Sequence, residues 1–145
     1  MLVTATMGWD EARAEARPIR FAVFVDEQKV PAEIELDEHD AVCVHALARV
    51  EGKAVGTGRL LPDGHIGRMA VLQDWRGQGV GAALLAALIE IARTRGNREA
   101  MLSAQTHAVG FYRRFGFVDE GPVYTEAGIP HQAMRMTLQA SSGNS

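Results

Sequence analysis

The sequence predicts an α/β fold: a mixed, mostly antiparallel twisted sheet flanked by helices. Three observations carry this. Apolar runs of strand length follow one another between turn signals from Val42 to Val71. A long apolar helix comes next, and short strand and helix patterns alternate after it. The chain has 145 residues, 47% of them apolar and 23% charged, enough to bury a core in one domain. A single domain is expected over residues 1–140, with a disordered tail over residues 141–145.

Taken in order, Leu2 to Met7 reads as a first strand. Asp10 reads as the cap of a helical stretch that Pro18 breaks, and Pro18 then suits the first turn of a second helix through Phe24. Residues 31–40 read as an acidic loop. Val42 to Val50 is apolar, Glu51-Gly52 turns, and Lys53 to Leu61 returns as a second strand. Pro62-Asp63-Gly64 turns again into a strand, Ile66 to Val71, which completes an antiparallel meander. Val80, Leu84, Leu88 and Ile91 then recur three and four apart, a core-facing stripe for a helix over Ala82 to Arg95. Gly96 ends that helix, and Arg93, Arg95 and Arg98 read as solvated cations that suit its C-terminal dipole. Ala100 to Ala104 reads as a strand, His107 to Phe115 as a helix and Gln132 to Leu138 as a last strand.

Composition excludes several functions. A net charge of −3 and a pI near 5.9 argue against a nucleic-acid surface. The sequence contains no apolar run of membrane-spanning length and no basic-then-apolar leader, so the cytoplasm is the expected compartment. The lone Cys43 lies in an apolar run and reads as a buried thiol. His39 and His45, with Asp37 and Asp40, match no zinc spacing, and no metal is expected.

The chemistry points to Arg76-Gly77-Gln78-Gly79-Val80-Gly81, between a strand and a helix. A glycine turn opening into a helix presents unpaired N–H groups and the positive end of a dipole, which suits a pyrophosphate. The plain alternative is a glycine-rich connection with no ligand. A Walker loop fails because Ala82-Ala83 follows Gly81 where Lys-Ser/Thr is required. The loose dinucleotide pattern is met, but Leu72-Gln73-Asp74-Trp75 separates strand from glycines, and the next strand ends in Ser103-Ala104-Gln105 without the acidic residue.

Arg-x-x-Gly-x-Gly after an apolar strand resembles motif A of the GNAT superfamily of N-acetyltransferases. Met69-Ala70-Val71-Leu72-Gln73-Asp74-Trp75-Arg76 is similar to that family's approach to the loop, and Phe111-Tyr112-Arg113-Arg114-Phe115-Gly116-Phe117 is similar to its later helix and turn. Three segments resemble the ElaA-like branch: Arg20 to Gln28, Ala104 to Val109, and Gly128 to Met134. The resemblance implies a sheet with splayed central strands. It also implies an acetyl-coenzyme A site made of Met69, Ala70, Val71, Arg76, Gly77, Gln78, Gly79, Val80, Gly81, Gln105, Phe111 and Tyr112. Gly67, inside a strand, points to a bulge or a close backbone approach, and a bulge there would open the splay.

Acetyl transfer to an amine needs a held coenzyme, a polarised thioester, an uncharged amine and a proton for the leaving thiolate. The resemblance makes Tyr112 the acid, against the plain alternative of a packing tyrosine. Glu27, His107 and His131 are candidate bases, each with a structural alternative as a cap or turn residue. Asp26, Glu27, Asp37, Glu38 and Asp40 would make the acceptor side acidic and favour a cationic amine. The expected partner is a small-molecule or peptide amine attacking directly in a ternary complex, and the protein a monomer or homodimer. The rival is a module that senses acyl-coenzyme A without turning it over.

Overall fold

A computed structural model of the chain describes residues 1–32 and 37–139. The first strand, β1, is Leu2–Met7; β2 is Val44–Val50, β3 Lys53–Leu60 and β4 His65–Val71. The last three form the expected antiparallel meander, and β1 adds to it beside β2, so all four pair in sequence order. Beyond it come β5 (Glu99–Gln105), β6 (Val118–Asp119), β7 (Tyr124–Glu126) and β8 (Ile129–Thr137). The sheet runs β1-β2-β3-β4-β5-β8-β6, with β7 also on β8, and among the described residues its one parallel junction is β4 with β5. The mixed, mostly antiparallel sheet expected from the sequence is the sheet observed.

Helices cover both faces. Successive side chains of a strand point to opposite faces, and β2 shows the division. Ala46 and Ala48 pack with Val80, Leu84, Leu85, Leu88, Ile89 and Ala92 of α2 (Val80–Thr94). Leu47, between them, packs with Ala12 and Ala16 of α1 (Trp9–Arg20). The expected stripe on α2 is there, although Ile91 is only partly buried. Close approach of α2 fixes the residue at position 56, where a Cβ would stand 2.8 Å from Val80 Cγ1 and 2.9 Å from Leu84 Cδ1. The third helix, α3 (Val109–Arg114), brings Tyr112 against Phe117, with ring centroids 6.0 Å apart.

The structure corrects the sequence reading in several places. Gly8, not Asp10, is the N-cap of α1, and Pro18 lies inside the helix without ending it. Ile19 and Val23 continue a buried apolar strip against Ala70, and the buried Arg20 is held by Asp40, so tertiary contacts keep that turn helical. The chain then widens into a π-helix, Phe21–Glu27, where the sequence suggested a second α-helix. Within the expected acidic loop, residues 33–36 lie outside the described residues, and Glu38–Val42 is a 3₁₀ turn. The left-handed bulge residue on β4 is Arg68 (φ 50°), not Gly67. His107 sits in a 3₁₀ turn, Thr106–Ala108, before α3. The short strands β6 and β7 carry no apolar alternation, and the sequence did not reveal them. The expected tail over residues 141–145 falls outside the described residues.

Candidate active site

The parallel junction between β4 and β5 is short. Strands β4 and β5 pair only at His65 with Met101 and Ile66 with Leu102, then part. Beyond that point a cleft of about 1000 Å³ opens, lined by Met69, Ala70 and Val71 on one side and Ser103, Ala104 and Gln105 on the other. The bulge that opens it sits where the β3–β4 register shifts, between Thr57 and Arg59. Arg68 takes its left-handed conformation there, an arrangement that costs a non-glycine residue energy, and its guanidinium bonds Asp37 at 3.0 Å.

The head of α2 closes one end of the cleft. Gly77 (φ 76°) and Gly79 (φ 85°) turn the chain into the helix through left-handed backbone. A Cβ at either would meet nothing within 4 Å, so the space before the loop is open. Gly77, Gly79, Val80, Gly81 and Ala82 all line the cleft, and the first N–H groups of a helix have no partner within it. A pyrophosphate fits that end by its open space, backbone donors and dipole. Gln78 does not line the cleft, because its side chain turns back to donate to the Asp74 carbonyl at 3.1 Å. Arg76 lines it but is engaged: its Nε donates to the Val71 carbonyl at 2.9 Å, and its two terminal nitrogens donate to Glu27 at 2.6 and 2.7 Å.

That pair bears on Glu27 as a base. The hydrogen bond from Arg76 holds its carboxyl below the usual range, whereas a base working near neutrality needs the opposite shift. The remaining acidic residues do not form an acidic acceptor wall. Asp37 is paired with Arg59 at 2.8 and 2.9 Å, and Asp40 with Arg20 at 2.9 and 3.0 Å. Asp26, Glu38 and both of these lie outside the cleft lining.

The two histidines are differently held. His107 bonds Gln105 Oε1 through Nε2 at 2.9 Å, and Gln105 exchanges two amide bonds with Gln28 at 2.8 and 3.2 Å. His131 bonds the Ile129 carbonyl through Nδ1 at 2.7 Å. A carbonyl only accepts, so His131 carries its proton on Nδ1, and Nε2 is left to accept another. Both histidines line the cleft.

Tyr112 and Phe111 line the cleft from α3, with rings 5.0 Å apart and edge to face. The Tyr112 hydroxyl makes no hydrogen bond among the described residues, and burial pushes its pKa up to about 12. Among the described residues no three His, Cys, Asp or Glu side chains converge as a metal site, and no helix is long and apolar enough to cross a membrane.

The profile of the acetyltransferase (GNAT) domain matches residues 10–138 of this chain. The chain belongs to the GNAT family. It is an acetyltransferase of the family's ElaA-like branch. It is 39% identical over 129 residues to the uncharacterized N-acetyltransferase YjcF of Bacillus subtilis, covering 86% of this chain and 92% of that one. It is 34% identical over 131 residues to ElaA of Escherichia coli, covering 84% of this chain and 86% of that one. The ElaA crystal structure superposes with a TM-score of 0.84 and 28% identity, over 94% of this chain and 99% of that one. An acyl-CoA N-acyltransferase from Pseudomonas aeruginosa superposes with a TM-score of 0.84 and 32% identity, over 94% of this chain and 99% of that one. Members of the family use acyl-coenzyme A donors and act on acceptor substrates.

The sequence motifs did not single out Arg68, Trp75, Ser103 or Glu126, all of which line the cleft. Trp75 and Ser103 lie inside or beside segments with a motif, so proximity could have found them. No pattern in the sequence marks Glu126, which the β7–β8 pairing brings to the site.

Proposed function

We propose that the protein transfers the acetyl group of acetyl-coenzyme A to a primary amine by direct attack in a ternary complex. The observation that carries this is the cleft between β4 and β5, with the head of α2 at one end and the unpartnered Tyr112 hydroxyl on its wall. Acetyl-coenzyme A supplies an activated acetyl thioester. The N–H groups of Gly79, Val80 and Gly81 hold its pyrophosphate, and the absence of side chains at 77 and 79 lets it approach. The unpaired edge of β4 at Met69 to Val71 receives the pantetheine arm, and Gln105 and Phe111 border it.

His131 Nε2 takes the proton of the incoming ammonium, since its Nδ1 proton is committed to Ile129. His107, bonded through Nε2 to Gln105 Oε1, is the second histidine on the cleft wall that could accept a proton. Tyr112 gives its proton to the departing thiolate. A phenol at about 12 stays protonated at any ordinary pH, and the dry wall that raises it raises the basicity of the thiolate beside it in the same sense. Glu27 serves Arg76, not the amine.

The test is a panel of primary amines and short peptides incubated with acetyl-coenzyme A, with free thiol release and acetylated product measured together. Amine-dependent thiol release with stoichiometric N-acetyl product is expected. Tight coenzyme binding without turnover of any amine would make the protein a sensor of acyl-coenzyme A instead.

A further inference from the structure

Among the described residues, four carboxylate or guanidinium side chains line the cleft: Glu27, Arg68, Arg76 and Glu126. Glu27 and Arg76 neutralise each other, and Arg68 is paired with Asp37. Glu126 has no ion-pair partner among the described residues. Asp26, Asp37, Glu38 and Asp40 lie outside the cleft lining and Glu27 is neutralised, so among the described residues the unpaired carboxylate of the cleft comes from a different element.

The hairpin backbone sets where the exposed Glu126 side chain starts. Glu126 ends β7, and the tight turn at Ala127 (φ 52°) and Gly128 (φ 76°) returns the chain into β8. The hairpin register pairs Glu126 with Ile129 and Tyr124 with His131. Tyr124 and His131 stack, with ring centroids 6.0 Å apart, so these cross-strand pairs share a face. The Tyr124 hydroxyl bonds Ser103 Oγ, which anchors the hairpin to β5. Glu126 and His131 are thus diagonal neighbours on one face of a pinned hairpin, with Cα atoms roughly 7–8 Å apart.

We propose that Glu126 is a subsite for a second ammonium group, and that the acceptors are small diamines with a short alkyl spacer. This rests on the acetyl-transfer reading above. An amine presented to His131 Nε2 places a second cation, a few methylenes away, against the Glu126 carboxylate. A single anion carried at that distance by the hairpin selects for charge and spacer length together. A monoamine leaves Glu126 with water, and a long spacer carries its second charge past it.

The experiment compares 1,4-diaminobutane with n-butylamine as acceptors of acetyl-coenzyme A, for the wild type and Glu126→Gln. The wild-type KM for the diamine is expected at least tenfold below that for butylamine, and the variant should lose about tenfold of that preference. Raising the salt concentration should erode the preference in the wild type only. An unchanged diamine-to-butylamine ratio in the variant overturns the subsite, as does a preference for a basic peptide over the diamine that Glu126→Gln removes. Calorimetry of 1,4-diaminobutane with coenzyme A-loaded protein separates this outcome from failure of the acetyl-transfer reading. Glu126-dependent diamine binding without turnover keeps the subsite and refutes transfer, whereas turnover of amines with Glu126-independent binding does the reverse.

Discussion

Two arginine–carboxylate assemblies in this molecule use the same groups and do different work. At the N-terminal ends of β2 and β4, Arg20, Arg59 and Arg68 bind Asp37 and Asp40, with side-chain exposures of 1% for Arg20 and 4% for Asp40. At the cleft, Arg76 binds Glu27, with exposures of 41% and 37%. The buried set ties α1, the 3₁₀ turn, β3 and the β4 bulge into one knot, and Arg20 also lies 5.3 Å over the Trp9 ring. A buried charge stripped of its partner cannot be rescued by water, whereas an exposed one can. The first assembly is therefore structural, and the second can exchange partners. Substitutions should separate the two, with stability changing at the knot and binding or rate changing at the cleft.

The largest effect is expected at the centre of the knot. Asp40→Ala leaves Arg20 and Arg59 buried with one counter-charge fewer, a change that costs about 3–5 kcal/mol for a buried pair. Urea unfolding of the variant should lose that amount, a large share of a domain's stability. A loss below about 1 kcal/mol would place the knot with the surface pairs. Tyr112→Phe should do the opposite. It keeps the ring contacts with Phe111 and Phe117 and removes the hydroxyl, so turnover should fall about 10²–10⁴-fold while unfolding barely changes. The high-pH limb that Tyr112 would cause lies near 12, not near the usual phenol value, so a limb at lower pH belongs to another group. Unaltered turnover where chemistry limits the rate would leave Tyr112 as packing.

The contrast between the assemblies also shows how far the sequence could be read. The meander, α2 and the glycine loop were legible because each is written locally, as alternation, as a stripe, or as glycines before a helix. The cleft was legible through motifs that happen to lie on its walls, from Met69 to Gly81 and at Phe111 and Tyr112. The fates of the charges were not. Asp37, Asp40 and Glu27 look alike in sequence, and only the fold decides that two of them meet buried arginines and the third meets Arg76. Arg68 took the bulge in place of Gly67 because its pairing with Asp37 offsets a conformation that glycine would adopt freely. Pro18 failed to break α1 because packing on both sides of it outweighed one missing donor.

Acid should weaken the knot through Asp37. Burial raises the Asp37 carboxyl, but bonds from Arg59 and the charge of Arg68 outweigh this and hold it at about 2, below the usual 3.8. A carboxyl lowered by folding stabilises the fold above its unfolded value and loses that contribution as pH falls to its folded value. Asp37 should therefore contribute about 2 kcal/mol above pH 4, lost between roughly pH 4 and pH 2. Urea unfolding across that window should show a shallower pH slope for Asp37→Asn than for the wild type. An identical slope would assign the acid sensitivity to other carboxylates.

The smallest effect, and the one that tests partner exchange, is at Glu27. Glu27→Gln removes the charge that holds Arg76 and keeps most of the shape. An exposed pair contributes roughly 0.2–1 kcal/mol, so stability should change by no more than that, and 1 M salt should abolish the difference. The consequence for binding has the opposite sign. While Arg76 is bound to Glu27, using it for a pyrophosphate means first breaking two short hydrogen bonds. Freed of that pair, Arg76 can turn to the phosphate at no such cost. Affinity for acetyl-coenzyme A should then rise by up to about fivefold, the binding equivalent of the released 1 kcal/mol. Calorimetric titration of both proteins at low and high salt decides it. A fall in affinity would show that Glu27 orients Arg76 for the coenzyme, and an unchanged value would show that Arg76 never reaches the phosphate and that the backbone of α2 holds it alone.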